Sequence, residues 1–264
     1  MDFYATLGDP CAKRDILEQL FQSGMTGVRL NMSHTSLAQC APLLEELYWP
    51  AARQAGRGDA HLILDLQGPE LRVGELPQPI PLREGLDILL GDGGIPVPQV
   101  ILKTARRGQQ ISIDDGALLL EVRRTSSTVL LCRVLQGGPL LSKKSLSLLG
   151  AEVDTPTLTP ADLDNLAQAG RFGVTHILQP FVRNRRDIDI LRQTLEGLEL
   201  GRVQVMAKIE EQQGLDHLDE IMAAADQVCI ARGTWAAPSR CGNCPASRRI
   251  SPAGAGPRAS PSVW

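Results

Sequence analysis

The spacing of apolar positions along this 264-residue chain changes twice. In the first third, short apolar runs alternate with stretches of helical period. Phe3 to Leu7 reads as a strand. Lys13 to Gln22 reads as a helix, with Ile16, Leu17, Leu20 and Phe21 on one face and Gly24 just beyond its end. Val28 to Asn31 is a second strand, Ser36 to Gln54 a second helix broken near Pro50, and Leu62 to Leu66 a third strand. This β-α-β-α-β order implies parallel strands joined by right-handed crossovers.

From residue 74 the helical period vanishes. Short β-like pieces follow at Asp87 to Leu90, Val100 to Lys103, Gln110 to Ile113, Ala117 to Val122 and Thr128 to Val134. Turn signals separate them, including Asp92-Gly93 and Asp115-Gly116. The segment reads as an inserted all-β domain. The α/β alternation returns at Thr159-Pro160-Ala161-Asp162, a helix start with a cap, a proline in the first turn and then an acid. A helix to Ala169, a strand from Thr175 to Phe181, a helix from Arg186 to Leu198, a strand from Val203 to Glu210, a helix from Leu215 to Ala225 and a strand from Gln227 to Ala231 complete the pattern. Six strands of this kind are expected, where a closed (β/α) barrel needs eight. The fold class expected is therefore α/β, an incomplete TIM barrel with a small all-β insertion. Its parts are 1–73 and 154–233 for the barrel, 74–153 for the inserted domain, and 234–264 as a tail without structure of its own.

Composition changes this picture in only two places. Charged residues are 22% of the chain and hydrophobic residues 43%, the ordinary balance of a globular protein. From Thr234 to Trp264 the chain has four Arg but no Lys, Asp or Glu. Removing those four positive charges takes the net charge from −3 to −7, so the body does not carry the basic surface that nucleic acid requires. No apolar run approaches a membrane span, and MDFYATLGDP lacks the basic-then-apolar start of a signal peptide. Cysteines at 11, 40, 132, 229, 241 and 244 are then expected as reduced thiols in the cytoplasm.

Polar groups cluster where strands end. Arg29-Leu30-Asn31-Met32-Ser33-His34 closes the second strand, Asp65 to Arg72 the third, and Lys208-Ile209-Glu210 and Ala231-Arg232-Gly233 the last two. Barrel active sites lie at that end of the strands. Oxygen donors from Asn, Ser and Asp suit a hard cation, and Arg29 and Arg72 suit phosphate. Lys208 and Glu210, two apart on a strand, share a face and could equally be a structural ion pair. Arg29 could be an ordinary barrel-mouth salt bridge. His34, His61, His176 and His217 share no ligand spacing, and Cys241-Gly242-Asn243-Cys244 is at most half a zinc site.

Taken in order, these motifs resemble the pyruvate kinase family. Ala5-Thr6-Leu7-Gly8, Val28 to His34, Leu64 to Arg72, Asp114-Asp115-Gly116, Leu141 to Gly150, Lys208 to Glu210 and Ala231 to Gly233 follow the family's ATIG, ARLNFSHG, LDTKGPEIR, DDG, GSKKGVNLPG, KIE and ARGDLG motifs. The resemblance covers nearly all of residues 1–233. It implies transfer of phosphate from phosphoenolpyruvate to ADP, giving pyruvate and ATP, with magnesium and potassium as cofactors and with homo-oligomers among intact members. It implies that Lys208 is catalytic and that Arg29, Lys208 and Gly233 bind substrate. Asn31, His34, Arg72 and Lys144 would face the nucleotide. Glu210 would hold magnesium, and Asn31, Ser33, Asp65 and the Leu66 carbonyl would hold potassium.

The chain departs from the family pattern at several points. Gln67 stands for the usual Lys, Pro180 for Ser and Leu149 for Pro. After Gly233 the family's Asp-Leu-Gly, whose Asp is the second metal carboxylate, is replaced by Thr234-Trp235-Ala236. Deleting one G from GGG-GAC-CTG-GGC yields Gly-Thr-Trp-Ala, so a shift of reading frame at this point is expected. The remaining strands, the substrate-side Thr of the seventh strand and the family's C-terminal domain would then be missing, with impaired catalysis and poor solubility. Two rival readings are a metal-dependent aldolase on a phosphoenolpyruvate or pyruvate barrel and a non-catalytic binding fragment.

Overall fold

A computed structural model of the chain describes residues 1–231 except 34, 152 and 211. Its described residues form two compact units, Met1–Pro69 with Thr157–Ile230, and Glu70–Pro156. In chain order the first unit opens with β1 (Tyr4–Thr6), α1 (Arg14–Gln22), β2 (Gly27–Asn31), a π-helical turn over Leu43–Tyr48 leading into α2 (Trp49–Gln54), and β3 (His61–Asp65). The periodicity of α1 buries Leu17 and Phe21, and Gly24 ends it in the left-handed region.

The second helix is not broken at Pro50 and does not begin at Ser36. Instead the Trp49 N–H reaches the Leu44 carbonyl five residues back, and helix continues through Pro50. The wider turn absorbs the hydrogen bond that a proline in mid-helix would remove.

The second unit contributes β4 (Ile80–Leu82), β5 (Asp87–Gly91), α3 (Gln99–Thr104), β6 (Gln110–Ile113), β7 (Leu118–Thr125), β8 (Val129–Gln136), β9 (Gly138–Leu140) and β10 (Leu146–Leu148). Five of these strands form an antiparallel sheet in the order β10-β6-β7-β8-β5, and β4 pairs with β9. Its core is aliphatic, built on Leu90, Ile111, Ile113, Leu118, Leu120 and Leu130. The expected strand at Val100 to Lys103 is a helix, α3, started by Pro98 and burying Ile101 and Leu102. A four-residue apolar run carries no period, so its type was open until packing fixed it.

The first unit resumes with α4 (Pro160–Ala169), β11 (His176–Gln179), α5 (Arg185–Gly197), β12 (Gln204–Ile209), α6 (Gln212–Asp216), α7 (Leu218–Ala224) and β13 (Gln227–Ile230). The helix expected from Leu215 to Ala225 is thus two helices, divided at His217. Thr159 caps α4 and exchanges hydrogen bonds with Asp162, a reciprocal box that satisfies the first-turn donors. The strands make one curled, parallel sheet in the order β1-β2-β3-β11-β12-β13.

Strand alternation divides the sheet's side chains between two faces. Val28, Leu30, Leu62, Leu64, Ile177, Val205, Ala207, Ile209 and Val228 pack in a large cluster with residues of the helices. Ile63, Leu178 and Met206, with Tyr4 and Cys229 beside them, form a small cluster on the opposite face. Gly27 keeps β2 close to β3, since a Cβ there would lie 2.3 Å from the His61 carbonyl oxygen.

Tyr4, His61, His176, Gln204 and Gln227 each open a strand and form a polar layer at the sheet's N-terminal edge. The Tyr4 hydroxyl lies 3.2 Å from His61 Nδ1, and the His61 and His176 ring centres are 4.7 Å apart. His176 is buried, and its pKa is pushed down to about 4, first by burial and then by His61, against the smaller opposing pull of Gln204, Asp2 and Asp226. Unfolding releases His176 to an ordinary pKa near 6.5, so the unfolded chain takes up the proton first. Stability is therefore expected to fall as pH drops from about 6.5 towards 4, by about 3 kcal/mol in all for this group. Urea denaturation between pH 7 and 4.5 measures it. The slope should flatten in His176→Phe, and an unchanged slope would contradict this assignment.

Candidate active site

Counting along each strand from the helix-facing residues puts Arg29, Asp65, Lys208 and Glu210 on the same face as Ile63, Leu178 and Met206. Arg29 is at the middle of β2, Asp65 and Lys208 are at the C-terminal ends of β3 and β12, and Glu210 follows β12 directly. They form two ion pairs. Arg29 Nε donates to Asp65 Oδ2 at 2.9 Å, a second guanidinium nitrogen donates to the same oxygen, and Arg29 Nη1 donates to the Thr6 hydroxyl at 2.9 Å. Lys208 Nζ lies 3.0 Å from Glu210 Oε1. Both structural alternatives open in the sequence, a salt bridge at Arg29 and an ion pair at Lys208, are thus present.

Asp65 is 2% exposed, and its second carboxylate oxygen, Oδ1, is buried with no hydrogen-bond partner among the described residues. An acceptor bared in this way is costly unless a cation or donor faces it. Asn31 Oδ1 accepts from the Ser33 N–H at 3.0 Å, which brings these two side chains to one turn at the end of β2. Leu66 follows directly, its side chain in the helix-side core and its N–H on the Leu178 carbonyl at 3.1 Å. Oxygen donors of these types suit a hard cation.

Glu210 is 8% exposed, and burial is the main force raising its pKa, against the opposing pull of Lys208 and the Phe181 N–H. That N–H donates to Glu210 Oε2 at 3.1 Å from a residue with φ of 52°, a conformation unusual for a bulky side chain. The Val182 N–H holds the Lys208 carbonyl from the same turn, at 3.3 Å. Among the described residues no group of three or more His, Cys, Asp and Glu could hold a metal ion. Of the expected magnesium ligands only Glu210 lies among the described residues, and magnesium is commonly held by one or two carboxylates with water and substrate phosphates. Cys229 sits beside Lys208 in the register of β12 and β13, and burial raises its pKa, which disfavours a reactive thiolate.

The second unit carries the other two expected cations. Arg72 Nε donates to Glu70 Oε2 at 2.9 Å and Nη1 to the Lys143 carbonyl at 2.7 Å. Lys144 Nζ lies 2.9 Å from Asp114 Oδ1. Asp114 and Asp115 are both left-handed, with φ of 56° and 52°. The Ser145 carbonyl accepts from the Asp114 N–H and the Ser145 hydroxyl from the Asp115 N–H. His34 and Gly233 lie outside the described residues, as do Arg232, Thr234-Trp235-Ala236 and the rest of the arginine-bearing tail.

Two features had no separate signal in the sequence. Phe181 acts through its backbone, which a residue type does not reveal. Asp162 reads as a helix-start acid, yet it also accepts from the Gln67 and Gly68 N–H groups after β3.

Comparison with known proteins gives one consistent result. A family model described as pyruvate kinase, barrel domain, matches residues 2–237. Pyruvate kinase of Aeropyrum pernix is 32% identical over 232 residues, covering 87% of this chain and 50% of the relative. Pyruvate kinase of Chlamydia pneumoniae is 32% identical over 244 residues, covering 86% and 49%. That of Geobacillus stearothermophilus is 32% identical over 239 residues, covering 86% and 40%. The chain spans about half the length of the curated relatives it matches.

Proposed function

Because this chain belongs to the pyruvate kinase family, we propose that Arg29, Asp65, Lys208 and Glu210 form the phosphoenolpyruvate site of a phosphotransferase acting from phosphoenolpyruvate to ADP. The observation that carries the reading is the pairing of Lys208 with Glu210 beside a buried Asp65 whose Oδ1 has no partner among the described residues. Phosphoryl transfer is mainly positioning and charge neutralisation, so the site needs fixed cations more than a nucleophile. Lys208 neutralises charge on the moving phosphoryl group, Arg29 and the Gly233 backbone hold the substrate, and the enolate left behind is then protonated. Asn31, Ser33, Asp65 and the Leu66 carbonyl would hold potassium, whose charge would help to neutralise the phosphate. Arg72 and Lys144 are assigned to nucleotide binding by their match to the family pattern, and so are Asn31 and His34. Residues 1–73 and 154–233 make six of a barrel's eight strands, and 74–153 is the inserted domain. A cytoplasmic setting suits these substrates, and among the described residues no helix is long and apolar enough to cross a membrane.

Glu210 would give magnesium one carboxylate, but Thr234 stands where the family has the second. The same substitution favours a second reading for the chain as written, a binding protein with little or no turnover. Purified full-length chain given phosphoenolpyruvate, ADP, MgCl2 and KCl is expected to form little or no pyruvate in a lactate dehydrogenase-coupled assay. Thr234→Asp with Trp235→Leu and Ala236→Gly should tighten Mn2+ binding, followed by electron paramagnetic resonance, by roughly tenfold. Brisk turnover by the parent chain would refute the impaired reading. Equal Mn2+ affinity in the two chains would refute the role given to position 234.

A further inference from the structure

We propose that Asp162 and Asn165, three residues apart on α4, are positioning residues that hold in register the two loops supplying the potassium ligands. The proposal rests on the potassium reading above for its purpose, though not for its geometry. Residues three apart share a helix face. Asp162 is 0% and Asn165 3% exposed. Asp162 Oδ1 accepts from the Gln67 N–H at 2.9 Å, and Oδ2 from the Gly68 N–H at 3.2 Å, the Thr159 N–H at 2.9 Å and the Thr159 hydroxyl at 2.7 Å. Asn165 Oδ1 accepts from the Leu37 N–H at 2.8 Å.

A helix cap needs only the exchange with Thr159. The bonds to Gln67 and Gly68 cross 95 and 94 residues of sequence, and the bond to Leu37 crosses 128. Gln67 directly follows Asp65 and Leu66, and Leu37 follows the Asn31 to Ser33 turn. The first loop has little freedom of its own. Gly68 is left-handed, and a Cβ there would lie 2.5 Å from Pro180 Cγ. The Met32 N–H on the Asp65 carbonyl at 2.9 Å ties the two loops together at their roots.

The chemistry of position 162 favours a carboxylate. It meets only donors, and a carboxylate accepts from all of them without donating. Asparagine of the same shape must turn an N–H towards at least one N–H or give up a bond. Asp162→Asn is therefore a test that changes little volume. Asn165→Ala removes the acceptor for Leu37. Leu166→Ala, in the fully buried core on the same helix, lowers stability without touching either loop.

Amide exchange of the full chain, read by nuclear magnetic resonance, separates these cases. Asn165→Ala should speed exchange at Leu37 by roughly tenfold and leave Gln67 and Gly68 unchanged. Asp162→Asn should do the reverse. Both should raise the KCl concentration needed to stabilise the protein thermally beyond NaCl at equal ionic strength, and Leu166→Ala should not. An even rise in exchange through the barrel unit for all three variants would overturn the proposal, because the two residues would then serve only bulk stability. Loop-selective exchange with no preference for KCl in the parent chain would uphold the positioning of the loops and refute potassium as their ligand. Should Asn165→Ala fail to fold, Asp162→Asn alone decides between the loop-selective and the even response.

Discussion

Lys208→Met is expected to weaken phosphoenolpyruvate binding by about a hundredfold, near 3 kcal/mol. Each expected phosphate-binding cation has its own carboxylate: Arg29 with Asp65, Arg72 with Glu70, Lys144 with Asp114 and Lys208 with Glu210. The pairs Arg29–Asp65 and Lys208–Glu210 are formally neutral together, so an entering phosphate must share a cation that a carboxylate already holds. Lys208 reaches its partner at 3.0 Å while its side chain stays partly exposed. Methionine keeps the length of the side chain and removes the charge. The site then has no cation left over from its own carboxylates to neutralise phosphate. Glu210, whose pKa burial already raises, would keep the Phe181 N–H but lose the opposing pull of Lys208, so its carboxyl should take up a proton at still higher pH. Calorimetric titration of phosphoenolpyruvate in KCl and MgCl2 measures the difference. Affinity within about twofold of the parent chain would remove Lys208 from the substrate site.

Arg29→Met should cost about 3–5 kcal/mol of folding stability, the range for leaving a buried partner charge without compensation. Asp65 is 2% exposed and has one bare oxygen even when Arg29 is present. Without the guanidinium, its other oxygen loses two donors, and desolvation of the carboxylate is no longer offset. The Thr6 hydroxyl also loses its partner. Urea denaturation would read the loss. Potassium at Asp65 should return part of it, so KCl should stabilise the variant more than NaCl at the same ionic strength. A loss below about 1 kcal/mol would mean that Asp65 is compensated by other groups. A full loss with no advantage for KCl would argue against a cation at its bare oxygen.

Much of the fold was legible because it rests on period. The strands from Val28, Leu62 and Val203 and the helices at Lys13 and Arg186 have long or flanked apolar patterns, and the observed elements differ from them mainly at their ends. The run Val100 to Lys103 lacked such a pattern and became α3. The π-helical turn before Pro50 was invisible, since it answers a local hydrogen-bond problem rather than a pattern of burial.

The site divides in the same way. Lys208 and Glu210 could be placed on one face from their two-residue spacing alone, and the pair forms. The partner of Arg29 lies 36 residues away on β3, and only the pairing of β2 with β3 brings Asp65 to it. The left-handed Phe181 and the second role of Asp162 depend on backbone groups of distant segments, so no residue type announces them. The roles given to His34, Gly233 and Thr234 rest on the sequence, because these positions lie outside the described residues.

The most direct measurement is the titration of phosphoenolpyruvate into the purified full-length chain, in KCl and again in choline chloride at equal ionic strength. Saturable binding that is tighter in KCl is the result expected if Arg29, Asp65 and Lys208 form a phosphate site with potassium beside it. No binding in either salt would contradict the assignment of this cluster to phosphoenolpyruvate, whatever the family of the chain.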